Sequence, residues 1–241
     1  QHPEIEGTQE LPDLPMVARA AAGAAYPAGL AALGPADWRR IGEEYLARTR
    51  IQRKTARPRF IDKLPNNWLH VGLILLALPN ATIIDARRHP MATGFSNWKQ
   101  HFARGQAFSY ALSDMGRYWA DYARLMDHFD TVAPGRVHRV IHERLVDDPE
   151  AQVRALLAHA GLGWEPACLR FHQSSRPVRT ASAEQVRRPL SRAGLDAWRA
   201  FEPWLGELRA ALGPWVDAYP GRPVAQAQQR TAMTAPAERV V

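Results

Sequence analysis

Cysteine and long apolar runs are what this sequence most lacks. Cys168 is the one cysteine in the chain, so an internal disulfide and a thiolate zinc cluster are both excluded. No apolar run approaches the roughly 18 residues that a membrane-spanning helix needs, and no signal peptide is recognisable. We therefore expect a protein of a reducing compartment, the cytoplasm, with no membrane partner.

Lysine is scarce as well, although the chain is strongly basic. Only Lys54, Lys63 and Lys99 are lysines among its 31 basic residues, and the formal net charge is +7. This balance favours anionic partners such as a nucleotide, a phosphorylated or sulfated molecule, or nucleic acid. Nucleic acid is not expected among them, because the aromatic residues follow helical core patterns and do not interleave with arginines as a base-stacking surface requires.

Short apolar segments alternate with helical patterns along the chain. Strands are predicted at 59–62, 81–86 and 137–141, and the last two are continuous apolar runs typical of a parallel sheet. Residues 1–15 are predicted as loop. Helices are predicted at 16–33, with a break around Pro27–Gly29, and at 38–50, 68–78, 91–103, 109–129, 149–160 and 203–212. The sequence predicts an α/β fold, a parallel β-sheet flanked by helices, in one domain over 1–219 with a disordered tail at 220–241. Because three strands are few for such a sheet, a further strand is expected upstream.

Residues 81–96 form a candidate anion site at the end of the second predicted strand. The strand breaks at Arg87-Arg88-His89-Pro90, and Pro90 suits the first turn of a helix. A helix N-terminus offers free N–H groups and a partial positive charge, and the guanidinium of Arg88 adds a forked donor suited to phosphate. Ser96 adds a hydroxyl eight residues later. The alternative interpretation is a surface arginine at a strand end.

Five stretches together resemble the sulfotransferase superfamily in their order and spacing. The chain resembles in particular bacterial members that are often fused to tetratricopeptide repeats and are related to protein-tyrosine sulfotransferases. The resemblance runs from residue 1 to near residue 212 and is carried by HPEIEGTQEL, FIDKLPNNWLHVGLI, PNATIIDARRHPMATGFSNW, GRVHRVIHERLVDDPEAQVRALLAHAGLGWEPACLRFH and VRTASAEQVRRPLSRAGLDAWRAFEPWL.

This resemblance implies a P-loop-NTPase-like sulfotransferase fold. It implies binding of 3′-phosphoadenosine 5′-phosphosulfate (PAPS) as a co-substrate, without a metal. The sulfuryl group of PAPS would pass to a hydroxyl or amine acceptor. The spacing of Arg88 and Ser96 matches the pair that holds the 3′-phosphate in such enzymes, which favours Arg88 over Arg87.

Further cofactor-binding residues are implied by the same resemblance. The stretch 179–189 resembles the loop that closes over the nucleotide, in which Ser182 and Arg188 contact phosphate oxygens, with Arg187 and Arg179 as alternates. His142 stands where related members have a tyrosine that touches the adenine side.

The resemblance also implies two catalytic residues. Lys63 matches a lysine that points at the transferring group, where it offsets developing negative charge. Glu10 matches the general base that accepts the proton of the acceptor hydroxyl. Glu6 is the nearest competitor for this role, because the loop can place either carboxylate inward.

The most diagnostic segment of the family is not found in the chain. In family members a strand and a loop of the type Pro-Arg-Ser-Gly-Thr-Thr lie about a dozen residues before the position of His2-Pro3, and this loop cradles the 5′-phosphosulfate. Either the sequence belongs to a longer sulfotransferase, or the protein lacks the loop and is expected to bind PAPS poorly and to be inactive.

Two other functions are consistent with parts of the sequence. A related nucleotide kinase is disfavoured by the order of the five stretches. A non-catalytic, degenerate basic domain that binds a nucleotide or a polyanion is supported by the arginine content.

Overall fold

The structure, a computed structural model, describes residues 1–102, 105–174 and 185–223. These residues form two compact units. The first unit contains residues 1–85, 125–138, 150–174 and 185–189, and the second contains 86–102, 105–124, 139–149 and 190–223. Within the described ranges no helix is both long and apolar enough to cross a bilayer. Most of the predicted tail, residues 224–241, lies outside the described residues.

A pair of short parallel strands lies in the first unit. Strands β1 (Ile5–Gly7) and β2 (Arg59–Ile61) pair with Ile5 opposite Arg59 and Gly7 opposite Ile61. The prediction that residues 1–15 form a loop is therefore wrong for Ile5–Gly7. A strand of three residues is too short to show the alternation that a sequence pattern detects, and its pairing with β2 is what makes it a strand.

Three helices form the core of the first unit: α1 (Asp13–Ala22), α2 (Pro35–Thr49) and α3 (Val71–Ala77). The predicted helix at 16–33 ends early, because Gly23 adopts a φ of 64° after Ala22 and turns the chain. The buried residues of the three helices pack in one cluster: Leu14, Val17, Ala18, Ile41, Tyr45, Leu73 and Ala77.

A second two-stranded sheet is formed by β3 (Ile83–Arg87) and β4 (Val137–Ile141). The predicted strand positions are confirmed to within two residues. In β3 the residues Ile83, Asp85 and Arg87 are buried and the two between them are exposed, so one face of this strand is covered. Together with the parallel pair β1–β2 and the helices around both sheets, these strands confirm the predicted α/β fold.

Helices follow both strands of the second sheet. Helix α4 (Pro90–Trp98) follows β3, α5 (Leu112–Val132) comes next, and β4 leads into α6 (His142–Asp147) and α7 (Pro149–His159). The helix predicted at 109–129 corresponds to α5, and the buried hydrophobic residues of α5 belong to the core: Met115, Trp119, Ala120, Ala123 and Met126.

The core of the second unit is formed by buried residues of α4, the start of α5 and the last two described helices. These are α8 (Gly206–Leu212) and α9 (Trp215–Ala218). The predicted helix at 203–212 begins only at Gly206, because Pro203 belongs to a preceding 3₁₀ helix, Arg199–Trp204. The buried cluster contains Met91, Ala92, Phe95, Met115, Trp119, Ala120, Ala123, Trp198, Leu205, Leu208, Leu212, Trp215 and Val216.

Candidate functional site

Parallel pairing of β1 with β2 brings the two predicted catalytic residues together in the first unit. The carboxyl ends of parallel strands meet at one edge, and Glu10 and Lys63 each follow one of these strands within three residues. Lys63 Nζ donates to Glu10 Oε1 at 2.6 Å. Just before them, Thr8 Oγ1 donates to the Ile61 carbonyl oxygen at 2.6 Å, which joins the two segments past the strand ends.

The Glu10–Lys63 ion pair is open to solvent. The two side chains are 42% and 63% exposed. An ion pair at such exposure contributes at most about 1 kcal/mol to stability, because water screens it. Either side chain can therefore exchange this contact for one with a substrate at little cost to the fold.

Glu6, the alternative base, is built into the fold instead. Its side chain is 6% exposed and accepts hydrogen bonds from Lys54 N at 2.5 Å, Thr55 Oγ1 at 2.7 Å and Thr55 N at 3.1 Å. The hydrogen bond from Lys54 N and those from Thr55 lower the pKa of Glu6. Of the two carboxylates, Glu10 is the one that faces solvent, which favours Glu10 as the base.

A hydrogen bond that the sequence did not indicate supports the segment carrying Lys63. The Tyr45 hydroxyl donates to Asp62 Oδ2 at 2.9 Å, which ties α2 to the residue before Lys63. Burial raises the pKa of Asp62, and burial together with the Asp62 carboxylate raises the pKa of Tyr45. No local pattern links these two residues in the sequence, so the contact could not be found there.

The two arginines at the end of β3, in the second unit, have different surroundings. Arg87 is 4% exposed, its Nε donates to the Tyr122 hydroxyl at 3.0 Å, and its guanidinium lies 5.0 Å from the centre of that ring. Arg88 is half-buried, and its Nη2 donates to the Gly194 carbonyl oxygen. Arg87 therefore packs against α5, and Arg88 is the better placed of the two for a ligand.

One donor of Arg88 is buried without a hydrogen-bond partner. This donor is Nε. Burial lowers the pKa of Arg88, and the nearby Glu143 carboxylate acts against that shift. A buried donor without a partner costs about 1–3 kcal/mol, and more when it is charged. An anion oxygen bound at Nε removes this cost, so the guanidinium fits a phosphate.

The N-terminus of α4 is partly filled by a carboxylate of the chain itself. Glu143 Oε1 accepts a hydrogen bond from the His89 N–H at 2.9 Å, and Glu143 Oε2 accepts one from the Tyr219 hydroxyl. Burial would raise the pKa of Glu143, but these two hydrogen bonds hold it below 4.5, its ordinary value. The expectation that the helix N-terminus is open is therefore wrong for the His89 N–H, because Glu143 caps it.

His142 and Ser96 both belong to the second unit, like Arg88. His142 is the first residue of α6 and is half-buried. Burial lowers the pKa of His142, and the positive charge of Arg88 lowers it further. Ser96 lies on α4, half-buried, about two turns after the Arg88 end of that helix.

The predicted nucleotide-closing residues fall in the first unit or outside the described ranges. Arg187 is the last residue of a short 3₁₀ helix, Gln185–Arg187, and it and Arg188 are exposed. Ser182 and the alternate Arg179 lie outside the described residues.

Four residues at the β3–α4 turn were not singled out from the sequence: Glu143, Gly194, Trp198 and Tyr219. Glu143 had a weak signal, because an acid at the start of a helix is common and here it directly follows His142. Tyr219 and Trp198 come from distant segments without a motif, and only the fold brings them to His89.

The chain is similar to a known protein family and to a further protein of known sequence. The family model described as "Sulfotransferase family" matches residues 1–166. An uncharacterized protein of Aquifex aeolicus (strain VF5) is 37% identical over 151 residues, which are 61% of this chain and 20% of that protein. The chain thus spans about a fifth of the length of this relative.

Two solved structures share the fold. The sulfotransferase domain of the Synechococcus PCC 7002 olefin synthase superposes with a TM-score of 0.56 and 21% identity, over 97% of this chain and 86% of that one. The sulfotransferase domain from the curacin biosynthetic pathway superposes with a TM-score of 0.50 and 15% identity, over 95% and 80% of the two chains.

Proposed function

Because the chain belongs to the sulfotransferase family, we propose that it transfers the sulfuryl group of PAPS to a hydroxyl or amine acceptor. The observation that supports this most is the half-buried guanidinium of Arg88, whose Nε has no hydrogen-bond partner. We assign the 3′-phosphate of PAPS to Arg88 and Ser96. His142, which lies within electrostatic reach of Arg88, is assigned to the adenine side.

The Glu10–Lys63 pair is assigned to the transferring group. The Lys63 ammonium offsets the negative charge that develops on the bridging oxygen while the sulfuryl group leaves it. Glu10 accepts the proton that the acceptor hydroxyl or amine loses when its oxygen or nitrogen bonds to sulfur. The two side chains neutralise each other at 2.6 Å. Substrate binding separates them, so that Lys63 turns to the sulfuryl group and Glu10 to the acceptor.

We assign three further residues to the segment that closes over the nucleotide: Ser182, Arg187 and Arg188. The exposure of Arg187 and Arg188 is consistent with that role, because an exposed guanidinium can move onto a phosphate without leaving a buried site. Arg187 and Arg188 are the described members of this group.

A non-catalytic basic domain that binds a nucleotide or a polyanion is the second candidate. The net charge of +7 favours it. The two candidates differ in selectivity, because a polyanion surface binds by charge and a PAPS site requires the 3′-phosphate of one small nucleotide.

Thermal unfolding of the full-length protein with 3′-phosphoadenosine 5′-phosphate (PAP), the nucleotide product, tests the proposal. We expect PAP to raise the Tm of the wild type and Arg88→Ala to lose most of that shift. The control is Arg117→Ala, which removes an exposed arginine charge on α5 and keeps the shift. Equal protection of Arg88→Ala would contradict the assignment of Arg88. Protection by heparin but not by PAP would favour the polyanion-binding candidate.

A further inference from the structure

Hydrogen bonds next to Arg88 in the chain join three segments of the second unit. They involve the Glu143 carboxylate, the His89 backbone N–H and the Tyr219 hydroxyl, a group that we name the Glu143 latch. We infer that the Glu143 latch positions Arg88 for a nucleotide 3′-phosphate, so that Glu143 and Tyr219 are positioning residues for that phosphate. This inference rests on the proposed function.

The latch acts first on the backbone that carries Arg88. Glu143 Oε1 accepts from the His89 N–H at 2.9 Å, and this N–H belongs to the peptide bond that directly follows Arg88. Glu143 is the second residue of α6, the helix that follows β4. The hydrogen bond therefore fixes the β3–α4 turn against the neighbouring strand end, and with it the direction in which Arg88 leaves the backbone.

The latch acts secondly by engaging the carboxylate that would otherwise pair with Arg88. Both Glu143 oxygens accept hydrogen bonds from other donors, while Arg88 interacts with that carboxylate only through its charge. Arg88 Nε remains without a hydrogen-bond partner. Loss of the Tyr219 hydroxyl would leave Glu143 Oε2 available to the guanidinium, and an arginine paired with its own chain binds phosphate less well.

Aromatic rings also pack against the β3–α4 turn. The His89 ring stacks on Trp198 with centroids 5.4 Å apart and an interplanar angle of 7°, and it meets the edge of Tyr219 at 5.1 Å. Burial, followed by the hydrogen bond to Glu143, raises the pKa of Tyr219, so its hydroxyl stays a donor at neutral pH. Trp198 and Tyr219 lie beyond residue 166, where the family match ends, so the last described segment of the chain supplies this support.

The consequence of a positioned Arg88 is selectivity for a nucleotide with a 3′-phosphate. PAP carries that phosphate and adenosine 5′-monophosphate (AMP) lacks it, while both share the adenine and the 5′-phosphate. A defect in the latch must therefore weaken PAP binding and leave AMP binding unchanged. General damage to the fold would weaken both nucleotides together, which separates a positioning role from a merely structural one.

Isothermal titration of the full-length protein with PAP and with AMP tests the inference. We expect Tyr219→Phe to weaken PAP binding about tenfold, the size of one lost hydrogen bond to a charged group, with AMP binding unchanged. The matched control is Tyr110→Phe, which also removes a hydroxyl donor, here to the Phe102 carbonyl oxygen at 2.7 Å, but at an exposed site. It is expected to bind both nucleotides as the wild type does.

Glu143→Gln provides a second variant if Tyr219→Phe does not fold. It retains the shape of the side chain and removes its charge, and we expect the same selective loss of PAP affinity. In the double variant, Tyr219→Phe adds little to Glu143→Gln, because both changes break one latch.

The outcomes separate the inference from the proposed function. A wild type that does not bind PAP overturns both. A wild type that binds PAP, loses binding with Arg88→Ala, and keeps its full affinity with Tyr219→Phe and Glu143→Gln overturns the latch alone. Equal losses for PAP and AMP also overturn it, because they show a structural role.

Discussion

At the scale of single residues, neighbours of the same type differ in what they can do because their partners differ. Arg87 is buried against Tyr122, whereas Arg88 next to it keeps a donor without a partner. Glu6 is held by Lys54 and Thr55, whereas Glu10 meets only an exposed lysine in the hydrogen bonds described above. In each pair, the residue whose side chain is more exposed is the one that suits a ligand.

Because the Glu10–Lys63 ion pair is exposed, we predict that a substitution of Lys63 lowers activity and leaves stability nearly unchanged. Lys63→Ala removes an exposed salt bridge, so we expect the free energy of unfolding to change by less than about 1 kcal/mol. Sulfuryl transfer is expected to fall by about a hundredfold or more, as when one charge-stabilising donor is removed from an active site. Transfer is measured with radiolabelled PAPS, and stability by urea unfolding.

Lys54→Ala is the control for this prediction. Its ammonium is also exposed, and it donates to the Ile51 carbonyl oxygen at 2.9 Å, within its own segment. This variant should retain transfer. Undiminished transfer in Lys63→Ala would show that Lys63 is a solvated surface lysine.

At the scale of secondary-structure elements, the candidate residues share one position: each follows a strand directly or nearly so. Lys63 follows β2, Arg88 follows β3 and His142 follows β4, while Glu10 follows the short β1. In open α/β sheets, ligands bind outside the carboxyl ends of the strands. Taken separately, each sheet therefore has its candidate residues just after its strands, Glu10 and Lys63 in the first and Arg88 and His142 in the second.

The sequence predicted this arrangement only in part. The strands β3 and β4 were found because each is five residues long, contains isoleucine and follows a turn signal, Pro79-Asn80 or Pro134-Gly135. β1 was missed because three residues carry no period, and its existence depends on β2. Tyr219, Trp198 and Gly194 were missed because they reach the β3–α4 turn through long-range packing, which leaves no local pattern.

A contact between a strand and a helix leads to a pH prediction. His138 on β4 stacks on His159, the last residue of α7, with ring centroids 5.0 Å apart. Burial lowers the pKa of His138 from 6.5, and the charge of His159 lowers it further. As pH falls below 6.5, the unfolded chain therefore takes up a proton before the folded chain does, and stability decreases.

We expect the urea midpoint of unfolding to be lower at pH 5.5 than at pH 7.5. Burial also lowers the pKa values of His70, His89 and His142, which act in the same direction. His138→Gln should reduce the difference between the two midpoints, and His101→Gln, at an exposed site, should not. A pH dependence that His138→Gln leaves unchanged would show that this stacked pair does not contribute.

At the scale of the whole molecule, the proposed functional residues are divided between the two units. The first unit holds the Glu10–Lys63 pair and the described closing residues Arg187 and Arg188, and the second holds Arg88 with His142 and Ser96. The net charge of +7 suits a protein whose substrate carries several negative charges.

The central claim is that Arg88 and Ser96 bind the 3′-phosphate of the nucleotide. A crystal structure of the full-length protein with PAP tests this claim most directly. The account predicts that the 3′-phosphate oxygens lie within hydrogen-bond distance, about 2.7–3.2 Å, of the Arg88 guanidinium. The Ser96 hydroxyl is predicted to share that phosphate, and the Glu143–Tyr219 contact to stay intact. A nucleotide whose 3′-phosphate contacts neither Arg88 nor Ser96, or a protein that binds no PAP, would contradict it.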